Sequence, residues 1–150
     1  RVYMFSLLDA LPFYEWGRAP AVVDSLVHAR EAELRLWCAQ AQALKRPLEG
    51  IQLHQTVIRL LGMQHDWDAP VRQAVLQSLK RLGDSSEWTL HACIEALGDR
   101  SPEVVVAAVE ALGSFGSKAQ SALPALRAAT QSRHEAVRVA SREALRRIDS

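Results

Sequence analysis

The sequence predicts an all-α fold, a right-handed α-solenoid of about four helical hairpins preceded by one leading helix. Three stretches of the 150-residue chain align without gaps at a spacing of 33 residues. Their shared apolar positions are Val71, Ala74, Leu79 and Leu82, then Val104, Ala107, Leu112 and Phe115, then Val137, Ala140, Leu145 and Ile148. A period in the thirties with helical apolar spacing is typical of hairpins that stack on one another. No segment alternates with the period of a half-buried strand, so we expect no sheet.

Prolines, glycines and short polar residues mark the predicted helix ends. Ser101 followed by Pro102 indicates a helix start with Ser101 as the N-cap, and Asp68 is expected to cap the preceding long helix. The predicted helices are 2–12, 20–29, 31–45, 51–62, 69–82, 87–97, 102–115, 119–130 and 134–148. The last eight pair as first (A) and second (B) members of antiparallel hairpins. We expect a single domain, 1–150, with repeats 18–46, 50–83, 86–116 and 118–149 after the leading helix.

The two ends of the chain differ in polarity. The first twelve residues are strongly apolar, whereas the last helix is rich in arginine and resembles a polar end unit. The N-terminal edge is therefore expected to pack on further repeats or on another chain. Because the chain starts at Arg1 with neither methionine nor a signal-peptide pattern, we expect a fragment of a longer protein.

The residues of the B helices resemble a known repeat family. Pro102-Glu103-Val104 followed by Ala107, Ala108, Ala111, Leu112 and Gly113 is similar to the second helix of a HEAT-like repeat of the short bacterial-lyase type. Pro70-Val71-Arg72 and Ala136-Val137-Arg138 agree with it, and Leu34-Arg35 matches Val71-Arg72 only with a shift of 37. The resemblance implies a scaffold fold and an Asp–Arg ladder between repeats. Val105 stands where the family has arginine, which breaks the ladder at the middle copy.

Composition restricts the range of functions. The chain carries 18 basic and 17 acidic residues, and 49% of its residues are apolar, enough for a core without disulfides or metal. No run of 18 apolar residues occurs, so no membrane partner is expected. Cys38 and Cys93 are predicted to be reduced, buried thiols, which favours a cytoplasmic location.

Catalytic and metal-binding patterns are weak. His91-Ala92-Cys93 and His65-Asp66 lack the further ligands of a zinc site, and there is no nucleophile elbow or phosphate-binding glycine loop. We expect His91 to be exposed, Cys93 to lie in the core, and 65–68 to be a polar turn. The prediction is a protein that is not an enzyme and has no cofactor.

The favoured function is a non-catalytic scaffold or adaptor that binds a protein partner on the B-helix, concave face. The middle copy shows valines where its neighbours show polar groups, an apolar surface with a charged rim. Coverage of these valines by adjacent helices or by the remainder of a longer chain is the alternative. The candidate partner-binding residues are Arg72, Leu76, Val105, Val106, Val109, Arg138, Arg142 and Arg146.

Two other functions remain open. Residues 118–150 carry seven basic and three acidic groups, and the row Arg138, Arg142 and Arg146 suggests nucleic-acid binding. The family resemblance also implies a possible chromophore-lyase-like role. Among the tryptophans, Trp37 is expected in the core, while Trp67 and Trp88 are expected to pack locally, with exposed anchors as the alternative.

Overall fold

The computed structural model describes residue 28 and residues 32–42 and 50–149, and every regular element in them is helical. The α-helices are α1 (Ala32–Gln42), α2 (Gly50–Gly62), α3 (Ala69–Leu82), α4 (Glu87–Ala96), α5 (Pro102–Ser114), α6 (Leu123–Ala129) and α7 (Glu135–Ile148). A 3₁₀ helix, Gly116–Ala122, precedes α6. The predicted helices 2–12 and 20–29 lie outside the described residues. None of the helices in the described ranges is long and apolar enough to cross a membrane.

The hairpins follow one another in order along the array. The B helices α1, α3, α5 and α7 pack side by side, each against the next, and form the most closely packed layer. The A elements α2, α4 and the 3₁₀–α6 segment lie against their own B helices and touch one another less. This arrangement confirms the predicted all-α solenoid.

The prediction of one helix over 119–130 is wrong. The chain instead turns through Gly116, whose φ is +56°, into the 3₁₀ helix and then continues as the short helix α6. Ala119 has non-helical backbone angles (φ −94°, ψ 21°), which places a kink inside the 3₁₀ segment. Pro124 lies in the first turn of α6, where a missing N–H is tolerated.

Helix caps also differ from expectation at two positions. Asp68 and Ser101 are at the N-cap positions of α3 and α5, but neither side chain makes a capping hydrogen bond. The Ser101 hydroxyl donates to Glu103 Oε2 at 2.6 Å, and Asp68 accepts from Arg35 instead. Ser86 does cap α4, since its Oγ accepts from the backbone N–H of Thr89 at 3.4 Å.

The core consists of two clusters that meet at α3. Val71, Val75 and Leu79 of α3 pack with α1 and α2, whereas Leu76 on another face of the same helix joins the cluster built by α4, α5, α6 and α7. The helix α5 buries eight of its thirteen residues, more than any other described helix. A B helix in this fold therefore buries three sides. Two of them face the neighbouring B helices, and the third faces its own A helix.

Candidate functional site

A groove runs between α5 and α7 on the B-helix face and has a volume of about 700 Å³. Val106 of α5 and Val139 of α7 line it, and Val139 is 57% exposed. These two residues are equivalent in the 33-residue repeat, and the corresponding residue of α3 is Gln73. The apolar lining thus begins at the third hairpin. We call this surface the B-face groove.

Paired charges form the rim of the B-face groove. Lys80 Nζ lies 2.9 Å from Glu110 Oε2, and Arg147 Nε lies 3.1 Å from Glu143 Oε1. All four side chains are at least 38% exposed. Exposed ion pairs of this kind contribute at most about 1 kcal/mol to stability. A charged segment of a binding partner can therefore replace either member of a pair at little cost in free energy.

The structure corrects part of the predicted partner-binding set. Leu76, Val105 and Val109 are 3%, 7% and 0% exposed, because the neighbouring helices cover them. The alternative that adjacent helices cover these valines is the observed arrangement. Val106, which faces outward from the same helix, is half-buried at the B-face groove.

Arg72 belongs to an ion pair between successive hairpins rather than to an open surface. Its Nε and Nη2 donate to Asp99 Oδ2 and Oδ1 at 2.7 and 2.9 Å, and its Nη1 donates to the carbonyls of Asp66 and Trp67 at 2.7 and 3.1 Å. Burial alone would raise the pKa of Asp99, but hydrogen bonds from Arg72 and from the Ser101 N–H outweigh it and hold that pKa below its ordinary value. We call such an arginine–carboxylate pair a rung.

An equivalent rung lies one hairpin earlier. Arg35 Nε donates to Asp66 Oδ2 at 2.7 Å, and Asp68 accepts a further hydrogen bond from Arg35. The Arg35 guanidinium also lies 4.8 Å from the ring centre of Trp67. Each rung therefore joins an arginine near the start of one B helix to the turn that precedes the next B helix.

The third junction has no rung. By the 33-residue repeat, Val105 takes the place of Arg72 and Ser132 takes the place of Asp99. Ser132 keeps only the local part of the arrangement, since its Oγ accepts from the His134 N–H at 3.2 Å. The Asp–Arg ladder is therefore interrupted at Val105, as the family resemblance implied. The position of the aspartate has changed as well, since it is occupied by Ser132.

Comparison with known families decides what kind of repeat this is. The family model described as HEAT repeats matches residues 57–146, more than half of the 150-residue chain. The chain belongs to the HEAT-repeat family. A comparison with curated protein sequences gives no match.

Three solved structures that resemble this fold are designed or engineered proteins. A designed armadillo repeat protein in complex with the peptide (KR)4 has a TM-score of 0.66 and 19% identity over 84% of this chain and 62% of its own. An engineered protein has a TM-score of 0.63 and 18% identity over 85% of this chain and 61% of its own. A second designed armadillo repeat protein has a TM-score of 0.61 and 18% identity over 91% of this chain and 68% of its own. The chain thus spans about three fifths of the first two structures. At these identities the likeness concerns the fold alone.

The arginine row on the last HEAT helix is only partly exposed. Arg138 is half-buried, and its Nη1 donates to the carbonyls of Ser132 and Arg133 at 2.9 and 3.1 Å. Arg146 is exposed and lies 3.5 Å from Glu143, and Arg142 is exposed. The row therefore presents two arginines to solvent rather than three.

Other candidate side chains have structural positions. Cys93 is buried, as predicted, and burial raises the pKa of its thiol to about 12, which makes it a poor nucleophile. Cys38 is also buried, and His91 is exposed as expected. The polar turn contributes Asp66 to a rung. In the part of the chain that the structure describes, no three His, Cys, Asp or Glu side chains cluster as metal ligands.

The tryptophans were harder to place from the sequence. Trp67 and Trp88 are 78% and 75% exposed, so the expectation that they pack locally is wrong for most of each side chain. The exception is a contact between the ring of Trp67 and the guanidinium of Arg35. Trp37 is half-buried rather than fully in the core. Trp67 lies in a short hairpin turn and has no periodic neighbours, whereas Trp88 lies in the first turn of α4. No sequence pattern fixes the direction of either side chain.

Proposed function

We propose that this HEAT-repeat chain is a non-catalytic scaffold that binds an extended protein segment in the B-face groove. The observation that carries the proposal is the apolar pair formed by the half-buried Val106 and the exposed Val139, which is framed by exchangeable ion pairs. An apolar centre with a polar rim is typical of protein-binding surfaces. The complex of a structurally similar designed protein with the peptide (KR)4 supports a peptide as the kind of partner.

The experiment uses peptides selected from a random phage-displayed library on the wild-type protein. We expect Val106→Glu/Val139→Glu to weaken their binding at least about tenfold in fluorescence polarisation, because two charges enter the apolar lining. Both positions are partly exposed, so the variant is expected to keep its fold, as measured by circular dichroism. Replacing Val105 and Val109 instead would place charges in the core.

The matched control is Gln120→Glu/Ser121→Glu, which adds the same two charges at exposed positions of the 3₁₀ helix. Selected peptides should bind this variant as they bind the wild type. Equal binding to the folded Val106→Glu/Val139→Glu variant would show that the B-face groove is not the site.

The nucleic-acid alternative has less support. Arg138 is engaged with backbone carbonyls, and Glu143 lies beside Arg146 and Arg147, so the local positive charge is reduced. Nucleic-acid binding needs several unpaired basic groups along one surface. A protein partner accordingly remains the favoured proposal.

A further inference from the structure

The missing third rung leaves a cleft at the edge of the solenoid where the A-to-B turns lie. The cleft has a volume of about 420 Å³ and lies between the turn before α5 and the turn before α7. Val105 and Ser132, the two residues that replace the rung, both line it. At the preceding junctions an arginine side chain reaches across the equivalent space to the next turn. We call this feature the turn cleft.

The lining of the turn cleft is partly aliphatic and partly polar. Its aliphatic lining comes from the end of α4, the start of α5, the exposed side of α6 and the start of α7. These residues are Leu97, Val105, Ala125, Ala128, Ala129 and Val137. The residues of α6 that line the cleft are alanines. Their methyl groups are too short to fill the space that an arginine side chain occupies at the preceding junctions, so the cleft stays open. The volume falls within the usual range for clefts that bind ligands.

The charges at the rim are mainly basic. Arg100 and Arg133 are exposed lining residues, and neither forms an ion pair with a carboxylate among the described residues. Asp99 also lines the cleft, but Arg72 already binds both of its oxygens. The nearby Glu103 accepts the Ser101 hydroxyl at 2.6 Å. The Arg133 Nε also donates to His134 Nε2 at 3.0 Å. The turn cleft therefore offers two guanidinium groups without a carboxylate partner, one of them hydrogen-bonded to a histidine, beside an aliphatic wall.

We propose that the turn cleft is a second docking site, which takes an aliphatic side chain of an acidic protein segment. The aliphatic group fills the space that the absent arginine leaves, and flanking carboxylates of the partner pair with Arg100 and Arg133. Guanidinium groups bind carboxylates with two parallel hydrogen bonds, which favours this pairing over a contact with a neutral segment.

The test is a titration of ¹⁵N-labelled protein with the peptide Asp-Glu-Leu-Glu-Asp at low salt, followed by NMR. We expect saturable shifts at the backbone amides of Val105, Ser132 and Val137. The charge-reversed peptide Lys-Lys-Leu-Lys-Lys and the peptide with alanine in place of leucine should each bind at least about tenfold more weakly. Equal binding of either peptide would overturn the proposal, as would the absence of saturable shifts with the acidic peptide.

Two variants separate ligand binding from folding. Val105→Arg/Ser132→Asp rebuilds the rung and fills the cleft, so peptide binding should be lost while resistance to urea stays equal or increases. Arg100→Glu/Arg133→Glu alters only exposed side chains and should weaken binding at least about tenfold, and it carries the test if the first variant fails to fold. The control is Arg81→Glu, an exposed charge reversal at the end of α3, on the opposite edge of the array.

Undiminished binding to either folded cleft variant would overturn the proposal. If the NMR signals of the cleft residues changed with protein concentration in the absence of peptide, and ultracentrifugation showed a dimer, the cleft would be a contact with a second copy of the chain. That result would overturn the proposal. The turn cleft shares no lining residue with the B-face groove, so Val106→Glu/Val139→Glu should leave acidic-peptide binding unchanged. Failure of one site is thereby distinguishable from failure of the other.

Discussion

At the scale of single residues, the rungs are the least exposed ion pairs between successive hairpins in the part of the chain that the structure describes. The side chains of Arg72 and Asp99 are 11% and 13% exposed, and Arg72 uses all three of its nitrogens. Removing one partner of such a pair leaves the other charge buried without compensation, which costs more than the intact pair contributes. The guanidinium also satisfies two backbone carbonyls of the turn before α3.

We expect Arg72→Ala to lower the free energy of unfolding by about 2–4 kcal/mol, because the buried Asp99 carboxylate and two carbonyls lose their partner. Urea denaturation at neutral pH measures this value. Arg81→Ala, at an exposed position of the same helix, should change it by less than about 0.5 kcal/mol. A similar small change for Arg72→Ala would contradict a stabilising role of the rung.

The rung also has a pH dependence of defined sign. Because the folded-state pKa of Asp99 is lowered, its contribution is complete above the ordinary aspartate pKa of about 3.9 and is lost as pH falls through the lower folded value. The difference in unfolding free energy between the wild type and Asp99→Asn should therefore shrink below about pH 4. A difference that stays constant down to pH 2 would show that the charge of Asp99 is not what the rung uses.

At the scale of elements, the repeat made most helices predictable. The bounds of α3 were predicted correctly, since Pro70 marks its start and Gly83, with φ +66°, ends it. The 3₁₀ segment was missed because residues 116–122 are mostly small or polar and carry no strong apolar period. The buried valines were misassigned for a different reason. A helical wheel shows which sector is apolar, but the number of neighbouring helices decides how wide the buried sector becomes.

The contact between α5 and α7 depends on Gly113. A Cβ atom at this position would lie 3.1 Å from both Cα and Cβ of Ala144, which are fixed by the helix backbone. Glycine in a helix normally costs about 1 kcal/mol relative to alanine. Replacing a helical glycine with alanine would therefore normally stabilise the protein. At Gly113 we expect the opposite, because α5 and α7 approach each other too closely to admit the methyl group.

We expect Gly113→Ala to destabilise the protein by about 1–2 kcal/mol, since the two helices must move apart to admit the methyl group. The control is Gly62→Ala at the end of α2, where a Cβ would meet no atom within 4 Å and alanine should be neutral or stabilising. Thermal denaturation of both variants provides the comparison. A gain of stability for Gly113→Ala would show that α7 adjusts freely.

At the scale of the whole molecule, burial among the helices that the structure describes is greatest in α5. The helix α5 lies between α3 and α7 and buries eight residues, whereas α2 buries only Thr56, Val57 and Leu60. Repeat arrays gain their stability from contacts between neighbouring units. Opening of an outer element therefore exposes less apolar surface than opening of α5.

Hydrogen exchange followed by mass spectrometry should show the slowest exchange in α5 and faster exchange in α2 and α6. The reason is that local opening free energy follows the amount of buried apolar contact. Measurements at two pH values establish that exchange reports opening equilibria. Equal protection of α2 and α5 would indicate that the described hairpins open only as one unit.

The rungs also constrain how the gene for such an array can change. Loss of the 33 residues 84–116 would bring α3 against the last hairpin with apolar faces in phase, yet Arg72 would then meet Ser132 in place of Asp99. A recombination event that preserves the period can therefore still leave a buried cation unmatched. The hairpin after the third junction is therefore not interchangeable with the hairpins that a rung joins, because it lacks the aspartate that an upstream arginine needs.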